Sequence, residues 1–159
     1  MPMQGEAVLK AARGWIGTPY RHQGSVKGVG CDCLGLVRGI WRELYGAEPE
    51  VVPAYAADWG ERSGEERLLE AARRHFVPVV DSGGAGADRT LHHHAGLSTA
   101  QPGDLLLFRF HPKRAAKHAG IYVDPDHFIH AYEQAAVVIS PLVPSWRRRV
   151  AAVFRFPEN

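Results

Sequence analysis

Two cysteines and nine histidines are the residues of this chain best suited to covalent and proton-transfer chemistry. Cys31 and Cys33 flank Asp32 in the run Gly30-Cys-Asp-Cys-Leu-Gly-Leu-Val37. Asp32 is a natural N-cap, which predicts that Cys33 lies in the first turn of a helix. Unpaired N–H groups and the helix dipole favour a thiolate there, and a thiolate is a nucleophile. A free cysteine is also among the most buried residue types. Position alone therefore leaves Cys33 as either a nucleophile or a core thiol. Cys31 falls in the preceding loop. The Cys-x-Cys spacing is poor for a disulfide, so Cys31 reads as a redox partner or an extra thiol.

A cysteine nucleophile needs a base, and the base needs a group that orients it. His118 opens the pattern HAGIYV and His130 sits inside FIHAYE. Two adjacent strands would bring these residues side by side, with His118 as base and His130 fixing its ring. Each taken singly is equally readable as a satisfied strand histidine. His92, His93 and His94 are consecutive, so their side chains diverge, and no HExxH pattern is present. Cys31-Asp-Cys33 is too tight for a zinc hook. The expectation is no metal and no cofactor. Acidic residues show no paired placement of the glycosidase kind. Gly24–Gly30 lacks a GK[ST] ending and reads as a plain loop, not a phosphate cradle. Two basic clusters remain, Arg109/His111/Lys113/Arg114/Lys117 and Arg147-Arg148-Arg149. They are either solvated faces or docking sites for an anionic polymer or acidic partner.

The elements that must position these groups follow from periodicity. Apolar residues at helical spacing predict helices from Glu6 to Arg13 and from Cys33 to Tyr45, the second ending at Gly46. Ser63 with Glu66 reads as a capping box for a third helix, which buries Leu68, Leu69, Ala72 and Phe76. Residues 81–90 read as a loop. The period then changes to two. Strands are expected at Leu105–Phe110, Ala119–Val123, Phe128–Tyr132, Val137–Ser140 and Val150–Phe156. Short links favour antiparallel pairing. Helices first and a five-stranded meander after make an α+β domain.

Composition sets the outer bounds. The chain has 159 residues, 45% hydrophobic and 23% charged, which fits one domain, residues 1–159, with a real core. A net charge of +2 is too weak to argue for nucleic acid. No apolar run approaches the roughly 18 residues of a membrane span. The N-terminal MPMQGEAVLKAARG lacks a signal-type apolar core, which predicts synthesis in the cytoplasm and delivery elsewhere by another route.

Trp15-Ile-Gly-Thr-Pro-Tyr20 followed by Asp32-Cys33-Leu-Gly-Leu-Val37 resembles the NlpC-type cell-wall peptidases. His118-Ala-Gly-Ile-Tyr122 and Ile129-His130-Ala131 are similar to that family's base and third-residue motifs. The resemblance implies a papain-like fold with the nucleophile at a helix N-terminus against an antiparallel sheet. It maps Cys33 to the nucleophile, His118 to the base and His130 to the orienting residue. Tyr20 matches a tyrosine near the oxyanion or substrate site, and Asp32 an aspartate that in some members contacts the free amine of the stem peptide. Leu34 stands where many members carry serine. The implied reaction is hydrolysis of peptidoglycan stem peptides at the D-glutamyl–meso-diaminopimelate bond. The phrase GxGCDCLGLVRGIWRELYG is similar to the branch found among tail genes of phages and gene transfer agents. That branch implies tail proteins as partners and action at the cell wall or in the periplasm. A tail protein with a vestigial site, or another thiol amidase or acyltransferase on the same scaffold, is the rival reading.

Overall fold

The computed structural model describes residues 4–53, 55, 66–80 and 96–158. Helix α1 spans Gln4–Gly14 and α2 spans Cys33–Tyr45. Between them, β1 (Ser25–Val26) and β2 (Gly30–Cys31) form a small antiparallel hairpin inside the stretch expected to be a plain loop. Helix α3 (Arg67–His75) leads into β3 (Val77–Val79). Strands β4 (Leu105–Phe108), β5 (His118–Asp124), β6 (His127–Ala131) and β7 (Val137–Pro141) form the expected meander. The short helix α4 (Pro144–Arg147) then precedes β8 (Val150–Arg155).

The main sheet has six strands in the order β3-β8-β4-β5-β6-β7, all neighbours antiparallel. Five were expected. The sixth, β3, has only three residues and carries Pro78, so alternation could not reveal it. Proline is tolerated there because β3 is an edge strand, paired with β8 alone. The sheet is also more than a meander, because β8 returns to pair with β4 on the side away from β5. Arg155 at the end of β8 donates to both oxygens of buried Asp104 just before β4, at 2.8 and 2.9 Å. That bidentate pair ties the returning strand in register.

Strand alternation divides the core. Leu105 and Leu107 of β4, Ala119 and Ile121 of β5, and Ile129 and Ala131 of β6 face the helical layer. Leu36 and Ile40 of α2 are fully buried against that face, each contributing about 1.5–3 kcal/mol of burial energy. Leu106, Phe108, Tyr122 and Phe128 face the other way, where Leu142, Val150 and Val153 complete a second cluster and Trp146 packs against it. Gly39 lets α2 close on the N-terminal layer. A Cβ there would lie 2.0 Å from the buried Trp15 ring.

Helix α2 begins where the sequence placed it. Asp32 is its N-cap and accepts from the Gly35 N–H at 2.7 Å, and Gly46 closes it at φ 91°. Helix α3 departs from expectation. Ser63 lies outside the described residues, and Glu66 occupies the N-cap position without bonding back to the helix. Its carboxylate instead takes the Arg109 guanidinium and the Ala116 N–H. The His92–His94 run and residues 81–90 also lie outside the described residues. No helix among those described is long and apolar enough to cross a membrane.

Candidate active site

Cys33 enters from the helical layer. It is half-buried, and its thiol donates to the Lys117 carbonyl across 3.6 Å. The Ala119 backbone N–H also reaches the sulfur. The sulfur thus sits against the peptide groups on either side of His118, the first residue of β5.

His118 and His130 occupy the opposite face of the sheet, with Phe108 and Phe128. His118 Nε2 lies 2.8 Å from His130 Nδ1, and His130 Nε2 lies 2.8 Å from Ser140 Oγ on β7. The two histidines are not directly opposite each other. Ile121 pairs with Ile129, so Gly120 is the residue across from His130, and His118 reaches it diagonally. Glycine keeps that diagonal open, since a Cβ on Gly120 would come within 3.3 Å of the His130 Cβ. Trp146 of α4 closes the face, its ring centre 5.7 Å from that of His118 and 5.2 Å from that of His130.

The histidine–histidine–serine chain allows two proton arrangements. In one, Ser140 donates inward and His118 carries its proton on Nδ1. In the other, His118 Nε2–H donates to His130 Nδ1 and His130 Nε2–H donates to Ser140. The second leaves His118 Nδ1 as an acceptor, which is the form a base requires. Burial, the neighbouring His130 and Lys117 lower the His118 pKa to about 3, and burial lowers that of His130 to about 4.

The helix start does not produce the low thiol pKa expected from position alone. Burial and then the Asp32 carboxylate push Cys33 up to about 12, against the opposing effect of the Ala119 and Leu34 N–H groups. The capping residue that starts the helix is itself an anion beside the sulfur. The resting pair is therefore thiol and neutral imidazole. Cys31 is fully buried, unpaired and pushed up to about 12, chiefly by burial. Its environment is that of a core thiol.

Asp32 is 3% exposed, and both of its oxygens are engaged within the fold. Oδ1 accepts from Gly35 N–H, and Oδ2 accepts from Gln23 N–H at 2.7 Å and from the Tyr55 hydroxyl. The geometry therefore assigns its carboxylate to the cap and to the approach loop. Tyr20 lines the cleft beside Cys33, and burial and the nearby Cys33, Asp32 and Glu133 raise its pKa. Its hydroxyl therefore stays protonated and able to donate. Leu34 also lines the cleft.

These residues share a cleft of about 500 Å³ with His22, Tyr55, Phe110, Lys117, Glu133, Trp146 and Arg149. Sequence reasoning passed over Ser140, Trp146 and Tyr55. Ser140 had a usable signal, since it is the next-to-last residue of a strand that must neighbour β6. Trp146 sits in a helix of four residues, too short to show a period, and Tyr55 in an irregular stretch, so neither had one. Of the basic clusters, only Lys117 and Arg149 line this cleft. Arg109 is paired with Glu66, and Arg147 donates to the Leu142 and Pro125 carbonyls.

A cysteine at a helix N-terminus, packed on an antiparallel sheet that carries a histidine pair, defines a papain-like architecture. The chain belongs to the NlpC/P60 family, whose model matches residues 17–155. Over 136 residues it is 29% identical to the murein DD-endopeptidase MepS/murein LD-carboxypeptidase of Escherichia coli K12, an alignment covering 85% of this chain and 54% of that protein. Over 150 residues it is 27% identical to the gamma-DL-glutamyl hydrolase of Bacillus subtilis strain 168, covering 94% of this chain and 29% of that protein. The chain thus spans about half the length of the first relative and less of the second. Its fold matches the crystal structure of the NlpC/p60 domain of the peptidoglycan hydrolase SagA with a TM-score of 0.59 at 20% identity, covering 96% of this chain and 98% of that one.

Proposed function

We propose that this protein is a cysteine peptidase that hydrolyses peptidoglycan stem peptides at the D-glutamyl–meso-diaminopimelate bond. The observation that carries the reading is the Cys33 sulfur held at the Lys117 and Ala119 peptide groups that flank His118, in one cleft with the chain His118–His130–Ser140. Family membership and the murein-acting E. coli relative support the polymer, and the name of the B. subtilis relative supports a glutamyl acyl group.

In this reading the proton of the neutral Cys33 thiol passes to His118 Nδ1 as sulfur attacks the amide carbonyl. His130 accepts from Nε2–H and stabilises the imidazolium that forms. The tetrahedral oxyanion is held by the Cys33 backbone N–H, which has no acceptor inside the helix, and by the Tyr20 hydroxyl. His118 returns its proton to the departing nitrogen, and the C–N bond breaks to leave a thioester. Water, deprotonated by the same ring, then releases the acid and the thiol. Both histidines are buried neutral, so the base is unprotonated at neutral pH.

The finer placement is as part of a phage-like particle acting at the cell wall or in the periplasm, with tail proteins as partners. It rests on the motif GxGCDCLGLVRGIWRELYG.

The test is digestion of purified peptidoglycan with the native protein and with Cys33→Ser, the fragments being read by mass. New D-glutamate carboxylates and new diaminopimelate amines, absent with Cys33→Ser, are expected. Cleavage within the glycan, or equal cleavage by Cys33→Ser, would overturn the reading.

A further inference from the structure

We propose that Arg149, with Lys117, forms a carboxylate-binding subsite on the leaving-group side of the cleft, for an acidic group on the residue that follows the scissile bond. This rests on the peptidase reading of the cleft.

The direction of the cleft follows from the chemistry. The acyl part stays on Cys33, next to Tyr20, Asp32 and Glu133. The departing nitrogen takes its proton from His118, so the rest of the leaving group lies on the His118 side. What stands there is aromatic and cationic. The Phe110 ring centre is 5.6 Å from that of His118, and the ring is 39% exposed. Lys117 Nζ lies 5.4 Å from the Phe110 centre, and the Arg149 guanidinium carbon lies 5.8 Å from it and 5.7 Å from the Trp146 ring.

The cationic wall continues past the cleft. An adjoining cavity of about 530 Å³ shares Phe110 and Arg149, adds Arg109 and Arg148, and has no acidic lining residue among the described residues. Arg109 is neutralised by Glu66. Arg148 and Arg149 are exposed, and no carboxylate among the described residues ion-pairs with either. The backbone at Arg149 is fixed, its N–H donating to Trp146 and its carbonyl accepting from Arg109 N–H at 2.7 Å. A planar guanidinium on a fixed backbone beside an open aromatic face is suited to a carboxylate taken by two parallel hydrogen bonds. Acidic groups on one wall and cations on the other give the cleft a polarity that orders the substrate's direction.

The test uses two substrates with one acyl part, γ-D-glutamyl-meso-diaminopimelate and the same peptide with its diaminopimelate carboxylates amidated. The wild-type protein is expected to favour the acid by about tenfold or more in kcat/KM. Arg149→Gln should collapse that ratio, and Arg13→Gln, an equal loss of charge on α1, should keep it. A wild-type ratio near one, or an unchanged ratio in Arg149→Gln, overturns the proposal. Calorimetry on Cys33→Ala separates the subsite from the chemistry. Tighter binding of the acid than of the amide, lost on adding Arg149→Gln, upholds the subsite even where neither peptide is hydrolysed. In that outcome the peptidase reading alone fails. Stronger binding of a glycerol-phosphate oligomer than of the acid peptide would assign the patch to a wall polymer and overturn the subsite.

Discussion

On the helical side of the cleft, position is set by side-chain bonds to loop backbone. Asp32 gathers Gly35, Gln23 and Tyr55 around the start of α2, and Gly35 lets the Gly24 carbonyl approach so closely that a Cβ would lie 1.7 Å from it. On the sheet side, position is set by strand register. His118, His130 and Ser140 come from three successive strands, aligned by backbone ladders and covered by Trp146. The first wall concentrates its order in one carboxylate. The second spreads it over many backbone bonds. At neutral pH, a substitution in the helical wall should therefore appear first in folding stability, and one in the sheet wall first in rate.

His118→Ala is the most severe test of that division. It removes the group assigned both proton transfers, and each such transfer typically contributes about 10²–10⁴-fold. His130→Ala should fall between wild type and His118→Ala. His130→Asn should retain part of the rate, because an amide oxygen still accepts the imidazole N–H. Steady-state rates on a stem-peptide substrate check the ranking, with circular dichroism confirming that each variant folds.

Asp32→Asn should act on the opposite quantity. With its oxygen toward Gln23 N–H and the Tyr55 hydroxyl, the amide keeps two of the three donors but presents N–H to the Gly35 N–H, a loss of about 2–3 kcal/mol at a buried, formerly charged acceptor. A denaturant midpoint checks it. Wild-type stability with greatly reduced turnover would erase the contrast between the walls.

Acid should weaken the sheet wall before the carboxylates titrate. Both buried rings have folded pKa values below their ordinary 6.5, at about 3 and about 4, so the unfolded chain binds more protons. Stability is full above about pH 6.5 and falls as pH drops toward those values. Between pH 7 and 5 the loss should be about 2 kcal/mol per ring. Urea midpoints at the two pH values measure it, and His130→Asn should remove one ring's share.

Ser140→Ala is the smallest of these changes. It removes the acceptor of the His130 Nε2–H, a bond of about 1 kcal/mol. A several-fold fall in kcat with little change in KM is expected. No effect on either constant would detach Ser140 from the chain and leave register alone to hold His130.

The sequence showed α2 and its cap clearly because the local signals agree, with Asp32 before an apolar helical period and Gly46 after it. The strands around His118 and His130 were legible for the same reason, since alternation is strong there. Three features were hidden. Strand β3 is too short for a period, and the β1–β2 hairpin is built from glycine-rich residues that read as loop. The thiol environment depended on how deeply Cys33 sits and on an anion at its own cap, and residue order encodes neither burial nor distance. The pair of walls was half visible. Its chemistry lay in motifs, while Ser140, Trp146 and Tyr55 joined it only through tertiary packing.

The central claim is that Cys33 becomes covalently acylated with His118 as its base, and mass spectrometry of the acid-quenched enzyme tests it most directly. Protein mixed with a stem-peptide substrate should gain the mass of the acyl half on the peptide that contains Cys33, with Cys31 unmodified. The adduct should be absent in Cys33→Ser and strongly slowed in His118→Ala. Turnover with no adduct at any quench time, or an adduct on Cys31, would contradict the account.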